Sequence, residues 1–291
     1  MLDLSFIYET IGRILPFDCF APNFMRQALF GLLLLAPVTA VMGTQVVNLR
    51  MAFFADAISH SVFAGAALGL ILAIDPHLST AFLAVIIGLG VTACRRNGKL
   101  SADSVIGVFF SAVVAFGLAA ASRDRNVARN AQSFLYGDIL TLGEKETAIL
   151  FCLMLAVVVF QFFSYNRIVY MGLDPALAKT HGIRTAFFQY AFAGLLALTA
   201  VFSVWTVGVF LVTALLVLPA AAARNMSRSI GGMFWWALLI TVFSSVTGLA
   251  ISAQSWAATA TGPTIILVAF ACFVFSMAFS RIRGYSYLTA R

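Results

Sequence analysis

The sequence predicts an all-α, polytopic membrane protein, and three observations carry that prediction. Of the 291 residues, 62% are hydrophobic and only 10% are charged, whereas soluble domains run at about 45–50% apolar and about 25% charged. The apolar residues form runs long enough to cross a hydrocarbon core, which takes about 20 residues as a helix. No polar domain offsets them: the longest polar stretches are 122–146 and 164–184. This balance excludes an ordinary soluble enzyme and a disordered chain. It also excludes a nucleic-acid binder, despite a pI of 9.6.

Spans are predicted near 28–47, 52–74, 78–94, 104–121, 147–165, 230–251 and 263–279. A short N-terminal segment, 1–25, precedes them, and residues 1–291 read as a single transmembrane domain. Residues 185–223 are 39 positions without an Asp, Glu, Lys or Arg. One helix of that length would measure about 58 Å, nearly twice the hydrocarbon thickness. A hairpin turning near Ser203–Thr206 fits better and gives nine spans, with eight as the alternative. Pro37, Pro219 and Pro263 mark kinks or helix starts.

The basic residues set the direction of threading. Arg50, the 95–101 and 165–184 segments, the 224–229 turn and the tail after 280 carry twelve of the 18 Lys and Arg. The opposite side holds six basic residues and eight acids, so the positive-inside rule places the N-terminus outside and the C-terminus in the cytoplasm. The outer loop with Arg123, Arg125 and Arg129 runs against the rule. With Asp3 and Glu9 and no basic stretch, the N-terminus does not read as a cleaved signal peptide. The four cysteines (Cys19, Cys94, Cys152, Cys272) lack paired spacing and read as small buried hydrophobes. No G-x-x-x-x-G-K-[ST] motif is present, so the chain has no P-loop for ATP.

The informative residues are Asp56 and His60, four apart and therefore on one face of a helix. A carboxylate near the centre of a span costs about 2.5–3.5 kcal/mol on insertion scales, so it faces a partner or a polar path. Carboxylate oxygen with imidazole nitrogen suits Zn²⁺, Mn²⁺ or Fe²⁺ rather than Ca²⁺. The plainer reading is that the two side chains satisfy each other or a neighbouring helix. Gly65 and Gly69 on the same helix form a G-x-x-x-G, the pattern of close backbone approach. His77, in the turn Asp75-Pro76-His77, and His181 read as solvated. In the inner loop 165–184, Asp174 is an N-cap, Pro175 the first helical residue and Gly182 a stop. That makes a short helix between two spans, either a connector or a docking element.

Asn48-Leu49-Arg50-Met51-Ala52-Phe53-Phe54-Ala55-Asp56-Ala57-Ile58-Ser59-His60 resembles the R-R-M-x-x-x-G-D-x-x-[SA]-H segment of permease subunits of bacterial zinc/manganese ABC importers. Phe134-Leu135-Tyr136-Gly137-Asp138-Ile139-Leu140 is similar to that family's L-F-G-D-I-L, and Leu173-Asp174-Pro175-Ala176-Leu177-Ala178 with Gly182 to its coupling loop. Residues 207–224, with Pro219-Ala220-Ala221, resemble its V-G-x-L-L…P-A-A motif, and Gly262-Pro263 opens the last span as in the family. Asn48, Ala55 and Tyr136 depart from the pattern; the Asp and His do not.

The resemblance implies the ABC importer transmembrane fold in a bacterial cytoplasmic membrane, forming a homodimer. It implies a cytosolic ATP-binding subunit dimer docked at Gly172, Leu173, Asp174, Ala178 and Gly182, and an extracytoplasmic metal-binding protein that delivers the ion. Asp56 and His60 become the metal path, Gly65, Gly69 and Pro219 packing positions, and the metal a transient cargo with no resident cofactor. Zinc is the favoured cargo and manganese the next. The chain itself would do no covalent chemistry. A proton-driven carrier working through Asp56 and His60 without an ATPase is the alternative; an intramembrane metalloenzyme would need an H-E-x-x-H or similar cluster that the sequence lacks.

Overall fold

The computed structural model describes residues 22–98, 100–122 and 139–282. Ten α-helices occur among them: α1 (Asn23–Asn48), α2 (Ala52–Leu72), α3 (Pro76–Asn97), α4 (Ala102–Ala121), α5 (Glu144–Leu173), α6 (Pro175–Thr180), α7 (Thr185–Val207), α8 (Val209–Met226), α9 (Ile230–Ser252) and α10 (Thr261–Ile282). All except α6 are long and apolar enough to cross a membrane, which makes nine candidate spans among the described residues. Residues 1–21, the Arg123/Arg125/Arg129 loop and Phe134–Asp138 lie outside the described residues.

Helix starts follow local chemistry. The Asp75 carboxylate accepts the His77 amide at 2.8 Å, and Pro76 needs no acceptor at the first helical position. Ser101 and Ser229 cap α4 and α9 in the same way. Gly143 donates its amide to Glu146 Oε2 at 3.1 Å ahead of α5, half of a capping box.

Two boundaries differ from the sequence expectation. The break in the 185–223 run falls at Gly208, at φ 87°, rather than at Ser203–Thr206. Thr206 donates back to the Ser203 carbonyl at 2.8 Å and stays helical, whereas glycine alone enters a positive φ without steric cost. The inner connector starts at Asp174, not at 165, because α5 runs unbroken through Tyr165-Asn166-Arg167. Its 30 residues span about 45 Å, more than the hydrocarbon core. Arg167 stabilises the overhang by bonding the Phe163 carbonyl at 3.1 Å and lying 5.3 Å over the Phe188 ring.

The helices gather into two packing units. One collects the described residues of Met1–Thr44, Asp138–Ala156 and Ala214–Arg291. Within it a Cβ at Gly43 would overlap the Leu216 carbonyl oxygen, so α1 and α8 are in backbone contact. A Cβ at Gly248 would fall 2.6 Å from Ile265 Cα between α9 and α10, and Asn225 Nδ2 donates to Ser276 Oγ at 3.1 Å. Pro37 and Pro219 lie inside α1 and α8.

The second unit collects Gln45–Gly137 and Val157–Thr213. Its hub is α2, which packs on α3, α4 and α7. The two glycines of its G-x-x-x-G face the start of α3: a Cβ at Gly65 would lie 2.6 Å from Thr80 Cα, and one at Gly69 2.9 Å from Pro76 Cα. Ser79 Oγ completes the contact by donating to the Gly65 carbonyl at 2.8 Å. The outward helix faces are apolar; Phe162 is 82% exposed. Cys94 and Cys152 share such faces, which corrects their expected burial: where lipid is the solvent, a small apolar side chain is as well placed outside as in. Together with Cys272 they are free thiols.

Candidate functional site

Asp56 and His60 sit one turn apart on α2, the most enclosed helix of its unit. His60 Nε2 stands 3.7 Å from Asp56 Oδ1, close enough for ionic attraction and too long for a hydrogen bond. The two side chains remain 38% and 21% exposed. They belong to a strip along one helix face, Ala52 and Phe53, then Asp56, then His60, which stays open while the rest of the first half of α2 is buried. Beyond His60 the same face closes, with Ala64 and Ala67 buried and Phe63 and Ala67 packed on Ala120 and Ala121 of α4. The Phe110 ring meets the imidazole edge-on at a centroid distance of 5.2 Å.

Among the described residues no group of three or more His, Cys, Asp or Glu converges. Asp56 and His60 therefore stand as a pair, with no third such side chain beside them among the described residues. His77 lies elsewhere, exposed and edge-on to the Trp205 ring at 4.4 Å.

The connector after α5 is built as its residue order suggests. Asp174 Oδ1 accepts the Ala176 and Leu177 amides at 2.7 and 3.2 Å, and Pro175 opens α6. The helix ends at His181, whose Nδ1 lies 2.9 Å from the Leu177 carbonyl, and Gly182 turns the chain at φ 73° with nothing near its α-carbon. Ala178 is fully buried and anchors α6 in the unit, whereas Leu173 and Leu177 point outward. Gly172 faces inward: a Cβ there would collide with the Asn48 amide. Asn48, a departure from the motif, thus fills a space that only glycine leaves.

Two further features escaped sequence reasoning. Gln45, Ser59, Thr199 and Ser203 bury side-chain polar atoms without hydrogen-bond partners. Their only signal in the sequence is polarity within apolar spans. A cavity of about 590 Å³ joins Asn48, Arg50, Arg95, Arg96, Lys179 and Gln189, residues scattered over the chain.

Nine candidate spans among the described residues, one of them carrying an ionisable pair, are the build of a multi-pass membrane protein. The chain belongs to the ABC 3 transport family, whose model matches residues 21–280. It is 29% identical over 257 residues to the high-affinity zinc uptake system membrane protein ZnuB of Haemophilus influenzae, covering 87% of this chain and 98% of that one. A probable iron transport system membrane protein of the same organism is 30% identical over 268 residues, covering 90% and 95%. The manganese transport system membrane protein MntC of Halalkalibacterium halodurans is 27% identical over 262 residues, covering 90% and 89%. Among solved structures, a chain of PsaBC from Streptococcus pneumoniae in complex with Fab superposes with a TM-score of 0.75 at 26% identity, covering 93% and 95%.

Proposed function

We propose that this chain is the permease of an ATP-driven importer for a divalent transition metal, with Zn²⁺ favoured and Mn²⁺ next. The observation that carries this reading is the Asp56–His60 pair. Two ligands held about 2.1 Å from a tetrahedral ion stand about 3.4 Å apart, near the 3.7 Å between Oδ1 and Nε2. Two ligands leave the remaining positions for water or a second copy, which suits a cargo that must be captured and then released. The unpartnered polar atoms of Gln45, Ser59, Thr199 and Ser203 are of the kind a hydrated ion would satisfy. The relatives support a metal cargo and divide over which one: zinc, iron and manganese are all named. The Irving–Williams order favours Zn²⁺ over Fe²⁺ and Mn²⁺ at an O/N site.

The chain works with partners in this reading. A second copy completes the path and an extracytoplasmic binding protein supplies the ion. A cytosolic ATPase dimer docks on Leu173, Leu177 and the turn to Gly182. The end bearing Arg50, Arg95, Arg96 and Lys179 is cytoplasmic, as is the C-terminus, in a bacterial cytoplasmic membrane. ATP binding pulls the two α6 helices together and switches access to the Asp56–His60 site.

The test is radioactive zinc uptake by the assembled complex in proteoliposomes. Asp56→Asn and His60→Ala should each abolish uptake while ATP hydrolysis and subunit stoichiometry persist. Full uptake in both variants overturns the site. Uptake by the lone chain under a proton gradient overturns the ATP-driven reading in favour of a secondary carrier.

A further inference from the structure

The cavity of about 590 Å³ lies within the second packing unit, where the ends of α1, α3 and α5 meet α6 and the starts of α4 and α7. Four cations line it: Arg50 after α1, Arg95 and Arg96 in the last turn of α3, and Lys179 in the last turn of α6. No carboxylate is among the lining residues. Among the described residues no carboxylate comes within 4.0 Å of any of the four. Asp103, on the first turn of α4, acts on Arg95 from farther away and offsets part of that charge. Arg96 lies 5.4 Å over the Tyr190 ring, a cation–π contact.

Each of these cations favours the carbonyl end of its helix, and single residues so placed are ordinary. Four of them, drawn from three elements, lining one open cavity with no carboxylate in its lining is not. The buried Asn48 Nδ2, a donor with no acceptor, belongs to a residue lining the same cavity. Five donor-rich side chains around a cavity of about 590 Å³, roomy enough for a phosphate together with the groups it is attached to, match a phosphate ester, which accepts several charge-assisted hydrogen bonds at once. The rim favours a lipid as its bearer. Leu173 lines the cavity and is 71% exposed, and Phe187 and Leu100, adjacent in sequence to the lining segments, are exposed as well. Basic pockets between transmembrane helices at the cytoplasmic side hold anionic headgroups in this way.

We propose that the cavity bounded by Arg50, Arg95, Arg96 and Lys179 binds a phosphate group, supplied by the headgroup of an anionic phospholipid. The site ties the α3–α4 turn to α6, so an occupied cavity fixes α6 for docking. The binding site shares no residue with the metal pair; its cytoplasmic placement and its effect on α6 docking rest on the proposed function.

The experiment is native mass spectrometry of the full chain in detergent, titrated with phosphatidylglycerol or phosphatidylcholine, and separately with inorganic phosphate. Phosphatidylglycerol should bind in preference to phosphatidylcholine and saturate. Lys179→Gln should weaken it about five-fold, and Arg95→Gln with Arg96→Gln about twenty-five-fold, following the worth of a cation at an anionic membrane. Arg224→Gln with Arg281→Gln, which removes as much charge from residues that do not line the cavity, should leave binding within about two-fold. Lys179→Gln is the mild variant that keeps the test decisive if the double variant fails to fold. Equal losses in the cavity and control variants, or no preference for phosphatidylglycerol, overturn the lipid assignment. Saturable inorganic phosphate binding without lipid preference keeps the phosphate site and overturns its lipid source. Unchanged lipid binding in cavity variants that lose the co-purified ATPase overturns the proposal and gives the cavity to subunit docking.

Discussion

The Gly172 α-carbon lies so close to the Asn48 side chain that a Cβ at 172 would collide with Nδ2. This contact joins the end of α1 to the end of α5, one residue before the segment proposed to dock the ATPase. Gly172→Ala should therefore destabilise the chain by about 1–3 kcal/mol through overpacking. Asn48→Ala should relieve much of that, so the double variant melts above the Gly172→Ala single in a detergent thermal-shift assay. A strictly additive cycle would remove the contact from the account.

Asp174 acts on α6 through its carboxylate oxygen, which accepts two backbone amides. Asn retains that acceptor and Ala does not. Asp174→Ala should reduce the ATPase recovered with the permease in pull-downs, whereas Asp174→Asn should leave recovery near normal. Equal loss in both variants would mean that the charge, not the cap, matters.

The α2–α3 contact separates two kinds of glycine. A Cβ at Gly65 meets backbone at 2.6 Å, whereas at Gly107 on α4 nothing lies within 4 Å. Gly65→Ala should cost about 1–3 kcal/mol. Gly107→Ala should be neutral or gain up to about 1 kcal/mol from helix propensity. Thermal denaturation of the two single variants measures the contrast.

At the metal pair, losing one of two ligands should lower the uptake rate at limiting zinc by at least about ten-fold, the smaller effect seen when even a supporting group is lost. His60→Cys supplies a softer ligand that Zn²⁺ accepts more readily than Mn²⁺ does, so this variant should retain zinc transport better than manganese transport. Uptake of each ion measured side by side checks this; an equal fall for both would argue against direct ligation.

Much of the molecule was legible because helix formation in a membrane is local. A run of about 20 apolar residues must satisfy its own backbone, so it becomes a helix whatever its neighbours. Asp75-Pro76 and Asp174-Pro175 announce helix starts by chemistry within three residues. The Asp56–His60 pairing is equally local, since one helical turn sets it. Span length alone locates the turn only to within a few residues; it stands at Gly208, because in an apolar span the Thr206 hydroxyl bonds back to its own helix and glycine takes the positive φ. The length of α5 was missed because polarity at Tyr165–Arg167 marks the edge of the bilayer, not the end of a helix.

The sequence by itself thus determined the all-helical class, the spans, the caps and the charged pair on α2. Tertiary structure decided which helix faces meet. Lipid and protein interior are both apolar, so a span that is apolar all round carries no label for its buried side. Only packing could bring Arg50, Arg95, Arg96 and Lys179 around one cavity, close the α2 face above His60 with Ala120 and Ala121, and set Asn48 against Gly172. Those contacts join residues far apart in the chain, and their partners are chosen by shape and small-residue fit rather than by hydrophobic pattern.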